Sequence, residues 1–305
     1  MTCSVLVSGA SGFVGSHLSR ALVEAGHDVR ALTRRPERYS GAGVPVGGDV
    51  SDLESLREAM QGVEAAYYLV HSLGSDNFAQ EDAEAAENFG AAAADAGVDR
   101  MIYLGGLGRD ADDLSAHLRS RRQVEAILGD SGVPVTVLRA AIIIGHGGIS
   151  WEITRQLVDQ LPGMVAADWM QSRTQPIALV DVIRYLVGVM DLAEARGKVY
   201  EIGGPDVLQY TEMLQRAAAV QGKHLPTVDL PAVASLVVTP GVSAGLLAGL
   251  TDVDVTTAGH LVDSLANEAV VLDEAITMAL PGPALGYEDA VRLALSDREH
   301  DVALS

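Results

Sequence analysis

The chain has 305 residues, 48% of them apolar, which is enough for one large domain or two with a sizeable core. Its 21 Lys and Arg stand against 41 Asp and Glu, a net charge of −20 that argues against nucleic acid or anionic membrane surfaces as partners, since both require a basic footprint. Cys3 is the only cysteine, which excludes an internal disulfide and a cysteine-rich metal site, and no His, Asp or Glu cluster has metal-ligand spacing.

Residues 4–8 read as a short strand that feeds Gly9-Ala10-Ser11-Gly12-Phe13-Val14-Gly15 and a helix to residue 25, where Val14, Leu18 and Leu22 recur at helical spacing. Strand, glycine triplet and helix in that order predict a turn for the diphosphate of a dinucleotide, held at the positive end of the helix by Ser11, Gly12, Phe13 and Val14. Gly9 permits the tight turn, Gly12 lets backbone N–H groups approach the phosphates, and Gly15 lets the helix lie close on the strand. About twenty residues on, where an acid would accept a ribose 2′-hydroxyl, stand Arg34 and Arg35. Guanidinium groups suit a 2′-phosphate, so NADP(H) is expected in preference to NAD(H), chiefly through Arg34; the plainer reading is a solvated loop pair.

Residues 44–48 lead to Asp49 and Val50 at a strand's C-terminal end. There Asp49 can start the helix of Leu53, Leu56 and Met60 through Ser51 or Asp52, or bond an adenine amino group. A nearly continuous apolar strand over 65–70 ends in Val70-His71-Ser72, as in a sheet covered on both faces. A helix over 78–96 stops at Gly97, a strand over 100–104 ends at Leu104 and Gly105, and a helix over 114–128 carries His117, Arg121 and Arg122. After a strand over 135–139 the strand–helix alternation calls for a doubly wound parallel sheet, a Rossmann fold of α/β class.

The rhythm then changes. Gly145-His146-Gly147-Gly148 opens an insertion with Trp151 and Trp169, and the main fold resumes at Gln175, with a helix to 192 begun by Asp181 as cap and a last strand over 199–202. About a hundred residues of short helices follow, with one strand near Val228. This divides the chain into 1–145 with 176–204 as the NADP-binding Rossmann domain, and 146–175 with 205–305 as a smaller, mostly helical substrate lobe. Residues 230–251 carry no charge, yet Pro231, Pro240-Gly241, Gly245 and Gly249 interrupt them, so a pair of short buried helices is expected in preference to a membrane span. The N-terminus enters a strand directly with no signal region, which places the protein in the cytoplasm.

These motifs resemble the extended or atypical short-chain dehydrogenase/reductase superfamily, and most its NmrA-like branch, which also holds the Rossmann-fold accessory subunit of respiratory complex I. The resemblance spans Gly9 to Gly15, Gly48-Asp49-Val50, Tyr68-Leu69-Val70-His71-Ser72, Tyr103 to Gly108, Gln175-Pro176-Ile177 and Glu201 to Pro205. Bacterial members similar in the later motifs also carry a further C-terminal domain, whose function is not expected of a chain ending at Ser305. The superfamily's reductases use a serine and a Tyr-x-x-x-Lys, in which lysine lowers the tyrosine's pKa and tyrosine passes a proton. Here the only lysines are Lys198 and Lys223, preceded at four residues by Glu194 and Ala219, so the motif is absent. Matching helix to helix puts His117 at the tyrosine position and Arg121 at the lysine position, with Gly105-Gly106 in place of the serine. Arg121 can bond ribose hydroxyls but cannot relay a proton.

Three functions are therefore compatible with the sequence. The first is an oxidoreductase acting on an apolar carbonyl, enone or quinone, in which His117 or His71 supplies a proton or polarises a carbonyl; His117 is otherwise a surface histidine on a charged helix. The second is a non-catalytic NADP(H) sensor or scaffold, and the third a redox-neutral enzyme on the same fold. Trp151, Trp169, His146 and Gln175 are substrate-lobe candidates, set against lobe packing, loop filling and an ordinary strand-end amide. Nothing in the sequence decides between a monomer and a homodimer.

Overall fold

A computed structural model describes residues 2–72, 74–109, 113–164, 168–226 and 240–304. Seven parallel strands form one sheet: β1 (Ser4–Val7), β2 (Asp28–Thr33), β3 (Val44–Gly47), β4 (Ala65–Tyr68), β5 (Arg100–Gly106), β6 (Val135–Ala140) and, at its edge, Val199–Ile202. The spatial order is β3, β2, β1, β4, β5, β6 and the edge strand, so the winding reverses between β1 and β4. Crevices that bind ligands in such sheets open at this reversal.

Both faces of the sheet are buried, which explains the unbroken apolar runs. Val5 and Val7 of β1, Tyr67 of β4 and Ile102 of β5 enter one core, with Leu18 and Leu22 of α1 (Phe13–Glu24) and Val182 and Leu186 of α6 (Leu179–Asp191). The alternate residues Leu6, Tyr68 and Met101 enter the other, under α2 (Leu53–Ala59), α3 (Phe78–Ala96) and α4 (Ala116–Asp130). Gly97 ends α3 in the left-handed region at φ 69°, as its position predicts.

A third core gathers α5 (Ile149–Gln160), α7 (Tyr210–Val220), α8 (Pro240–Leu250), α9 (Val255–Leu265) and the start of α11 (Tyr287–Leu304). It crosses the expected boundaries: Ile142 and Ile144 belong to it, whereas Ile276 of α10 (Ala275–Ala279) and Leu280 return to the sheet's core. The helix of 240–250 begins at the expected Pro240 break, and the strand near Val228 lies outside the described residues. Among the described residues no helix is long and apolar enough to cross a membrane.

Asp181 departs from its expected role. The helix starts three residues earlier than an Asp181 cap requires, at Leu179, with Ala178 as its cap residue. The buried Asp181 carboxylate accepts the Leu285 N–H at 2.9 Å, which fastens the approach to α11 onto α6.

Candidate functional site

The glycine turn is tied to the winding reversal by buried Ser8, whose Oγ donates to the Tyr67 carbonyl at 2.9 Å and accepts the Leu69 N–H at 3.1 Å. Gly9 has φ +68°, and the Gly12 N–H closes the turn on the Gly9 carbonyl at 2.8 Å. A Cβ on Gly15 would lie 2.1 Å from that same carbonyl oxygen, so only glycine lets α1 approach the turn this closely. Gly12 caps α1 without a side-chain bond, and no acidic residue stands in the first turn, so the helix's positive end is uncompensated.

A groove of about 1000 Å³ runs across this turn. It is lined by Asp49 after β3, by Arg34, Arg35 and Arg38 after β2, by Ser11 and Gly12 of the turn after β1, and by Val70, His71 and Ser72 after β4, the strands that stand in this order in the sheet. Arg34, Arg35 and Arg38 are exposed, and none has an ion-pair partner among the described residues. Arg38, in the short 3-10 turn Pro36–Arg38, was not singled out in the sequence; its signal was the spacing Arg-Arg-x-x-Arg. Val50 also lines the groove. The Asp49 carboxylate holds the Ser51 N–H at 2.9 Å and its hydroxyl at 2.8 Å, while Asp52 is the residue that caps α2.

At the far end the histidines meet. The His71 ring stacks on His117 at 4.9 Å between centroids, inclined by 26°. His71 Nδ1 lies 2.6 Å from Oδ2 of Asp82, a residue of α3 that is 2% exposed, and Asp82 Oδ1 accepts the Ser72 N–H at 2.8 Å. Burial opposes ionisation of Asp82, but the His71 hydrogen bond and charge and the Ser72 N–H overcome it and hold the carboxyl below its ordinary value. Burial is also the largest influence on His71, and with Arg121 and His260 it pushes that imidazole below its ordinary value against the pull of Asp82.

His117 is not the surface histidine its polar neighbours suggest. Its Nδ1 lies 2.9 Å from Ser264 Oγ on α9. Burial first, then His71, Arg121 and His260, push its pKa down to about 3, so at neutral pH the ring is uncharged. That state tells against the expectation that His117 serves as a general acid at neutral pH, because the imidazolium form that would give up a proton is not populated there.

Beyond His117 lies a mostly apolar cavity of about 120 Å³ between the ends of β5 and β6 and the helical region, lined by Leu107, Ile142, Ile153, Leu247, Leu261 and Val262 among others. Gly106 and Leu107 reach it. Leu104 and Gly105 lie one step earlier on β5 and border neither this cavity nor the groove.

Arg121 is turned to the Leu104 carbonyl, to which its guanidinium donates, and lies 4.9 Å from the centre of the Tyr103 ring. Phe13 faces Gly145, Gly147 and Gly148, where a Cβ at Gly148 would stand 2.7 Å from its ring. Val14 packs against the sheet's core.

Three substrate-lobe candidates have structural employment. Trp151 is fully buried in the third core and lines neither cavity. The Gln175 amide donates to the Gly204 carbonyl at 2.7 Å and accepts the Val271 N–H at 2.9 Å, so both of its ends hold backbone. His146 lies 3.2 Å from Glu152 in the first turn of α5. The Trp169 side chain lies outside the described residues.

A family model described as NAD(P)H-binding matches residues 9–166. The mitochondrial NADH dehydrogenase [ubiquinone] 1 alpha subcomplex subunit 9 of Arabidopsis thaliana is 27% identical over 223 residues, 68% of this chain, and the chain spans 56% of that subunit's length. Sanguinarine reductase of Eschscholzia californica is 25% identical over 251 residues, covering 66% of this chain and 88% of that protein. Among solved structures, the triphenylmethane reductase of Citrobacter sp. superposes with a TM-score of 0.77 over 96% of this chain and 99% of that one, at 19% identity, a likeness of fold alone. A second structure of that reductase holds NADP(H) and superposes at 0.75 over 95% of this chain and 99% of that one, at 18% identity. The resemblance to the complex I subunit and to reductases of this superfamily is thereby borne out.

Proposed function

The chain belongs to the NAD(P)H-binding family, and from that membership we propose that it is an NADP(H)-dependent oxidoreductase acting on an apolar small molecule that carries a carbonyl, enone or quinone. The observation behind this reading is one continuous surface. Three arginines with no ion-pair partner among the described residues stand on one side of a groove and a glycine turn beside them, and on the other side His71 abuts, through His117, an apolar cavity.

The cradle fits the cofactor: Gly15 has no room for a Cβ, and the uncapped start of α1 offers N–H groups to a diphosphate. Arg34, helped by Arg35 and Arg38, takes the 2′-phosphate. Asp49 and Val50 flank the adenosine, and Val70, His71 and Ser72 border the nicotinamide end. When bound, NADP(H) supplies the hydride. The chain orients the substrate and excludes water through the cavity's apolar wall. Neutral His117 contributes a fixed, uncharged wall.

A second reading, a nucleotide sensor or scaffold without turnover, has its own support in the missing Tyr-x-x-x-Lys and in the engagement of Arg121 with the Leu104 carbonyl. Titration with NADPH and NADH, followed by incubation with menadione, cyclohexenone and aliphatic ketones, separates the two. Saturable NADPH binding with substrate-dependent loss of reduced-nicotinamide absorbance supports the oxidoreductase. Binding without loss supports the sensor, and absence of saturable binding to either nucleotide overturns both.

A further inference from the structure

Asp82 stands on a helix whose sequence announces only packing, yet it is the most heavily engaged group of the junction between groove and cavity. Oδ1 holds the Ser72 N–H, and Oδ2 faces His71 Nδ1 at 2.6 Å with Ser120 Oγ at 3.4 Å. An ionised carboxylate only accepts hydrogen bonds, so Nδ1 of His71 carries the proton and Nε2 is the nitrogen that loads and unloads. Nε2 is buried and has no hydrogen-bond partner among the described residues. A buried polar atom without a partner calls for an explanation, and a proton-exchanging role is one. The same ring borders the large groove and stacks on His117, which borders the apolar cavity.

From this geometry we infer that Asp82 and His71 form a proton-carrying dyad. His71 Nε2 is the atom that exchanges the proton with substrate, and Asp82 is the positioning residue that fixes its tautomer and orientation. The inference rests on the oxidoreductase reading above.

The neighbouring ring explains why one histidine carries the proton and the other does not. Ser264 Oγ donates to the His260 carbonyl at 2.8 Å, so it accepts from His117 Nδ1–H. Two stacked imidazoles do not both ionise at this separation, and only His71 has a carboxylate in contact. The groups that face His71 are Asp82 from α3, which favours its charged form, and Arg121 and His117 from α4 with His260 from α9, which disfavour it.

In the reductive direction the Nε2–H bond breaks, its electron pair stays on nitrogen, and imidazolium becomes neutral imidazole. The proton joins the substrate oxygen, which takes the π pair of the C=O bond as the carbon accepts a hydride from the reduced nicotinamide. After product leaves, the proton on Nε2 is restored through the groove that the ring borders. Reduction falls as pH rises through the His71 midpoint.

The test uses the full chain with NADP+ and long-range 15N–1H NMR of the imidazoles, His71 being identified by its loss in His71→Gln. The expected results are an Nδ1–H tautomer, a His71 resonance moved by NADP+, and a midpoint lowered by about one pH unit in Asp82→Asn, where an opposite charge has been removed. The falling limb of NADPH-dependent menadione reduction shifts down with it, and the rate at neutral pH drops about a hundredfold while NADP+ affinity stays within about twofold. An unmoved midpoint or limb in Asp82→Asn, or NADP+ binding that leaves the His71 resonance untouched, overturns the dyad and spares the cofactor reading. Absence of NADP+ binding, or binding without turnover of any probe, overturns the function on which the dyad rests. If Asp82→Asn does not fold, His71→Gln decides: retained nucleotide binding with lost turnover supports the dyad, and an unchanged rate sinks it.

Discussion

Gly15→Ala tests the packing on which the cofactor site stands. The added Cβ would lie 2.1 Å from the Gly9 oxygen, 2.7 Å from its carbonyl carbon and 3.0 Å from the Ala10 Cα. Carbon and oxygen without a bond between them meet at roughly 3.2 Å, so α1 must withdraw by about 1 Å. The obstacle is backbone, and it belongs to a residue at φ +68° whose turn is closed by its own hydrogen bond, so it cannot yield as a flexible side chain would. Overpacking of this kind costs about 1–3 kcal/mol, from which up to about 1 kcal/mol is recovered because alanine is the better helix former. The withdrawal also carries the helix's first N–H groups away from a bound diphosphate, and loss of even one charge-assisted bond weakens NADPH about tenfold or more. Gly129 provides the control, since it lies exposed in α4 and a Cβ there meets nothing within 4 Å. Gly129→Ala should raise stability by about 0.5–1 kcal/mol and leave NADPH affinity alone. Urea unfolding and fluorescence titration measure the two effects separately. A Gly15→Ala protein as stable as the parent refutes the packing argument, and one that is destabilised but binds NADPH normally refutes the link from packing to cofactor.

Arg34→Asp should weaken NADPH by an amount on the order of 2 kcal/mol and spare NADH, as read by paired titrations; equal loss for both removes Arg34 from the 2′-phosphate subsite. Burial holds His117 at about 3, so the folded state binds fewer protons than the unfolded chain, and stability is full above the ordinary imidazole value of about 6.5 and declines as pH falls from there towards 3. The slope from this group is up to about 1.4 kcal/mol per pH unit, and urea titrations of His117→Gln across that window should be flatter by that amount. Gln175→Ala should cost about 1–3 kcal/mol, since it leaves the Gly204 carbonyl and the Val271 N–H without their partner, while NADPH affinity stays unchanged; a stable variant with altered affinity would return Gln175 to the ligand.

The sheet was legible because each of its central strands is covered on both faces. Leu6 enters one core while Val5 and Val7 enter the other, so no polar alternation interrupts the apolar run and only the flanking glycines mark its ends. The glycine turn was legible for a largely local reason: Gly12 and Gly15 answer to Gly9 and Ala10 within six positions, and only Gly9 also meets a distant backbone, that of Leu69. The histidine junction was legible only in part: His71 and His117 were named from their places after β4 and on α4, but not their stacking or the Asp82 contact. His117 sits in the polar string Ser115 to Arg121, and what buries it is Ser264 and its helix, 147 residues away. Asp82 looks like any charge on an alanine-rich helix until β4 delivers His71 to it. Trp151 stood between a pocket wall and lobe packing in the sequence, because an aromatic near a lobe boundary suits both equally well, and the third core takes it as packing.

The arginine cluster has a weight that its composition hides. With 41 acids to 21 bases, a basic side chain finds a carboxylate easily: Arg139 and Arg173 each hold at least one, and Arg57, Arg155 and Arg216 hold two apiece. Arg34, Arg35 and Arg38 hold none among the described residues, although they share a groove with Glu81 and Glu84, whose carboxylates are engaged by Ser75 and Gln80. Three mutually repelling cations within five positions stabilise nothing in the fold, and screening over about 8 Å at physiological salt isolates them from the distant negative charge. What three guanidiniums without an ion-pair partner among the described residues favour is an anion presenting several oxygens at once, and under the proposed function that anion is the 2′-phosphate of NADP(H). This is why the NADPH-to-NADH ratio, and not the affinity for either nucleotide, is the quantity by which the reading of this site stands or falls.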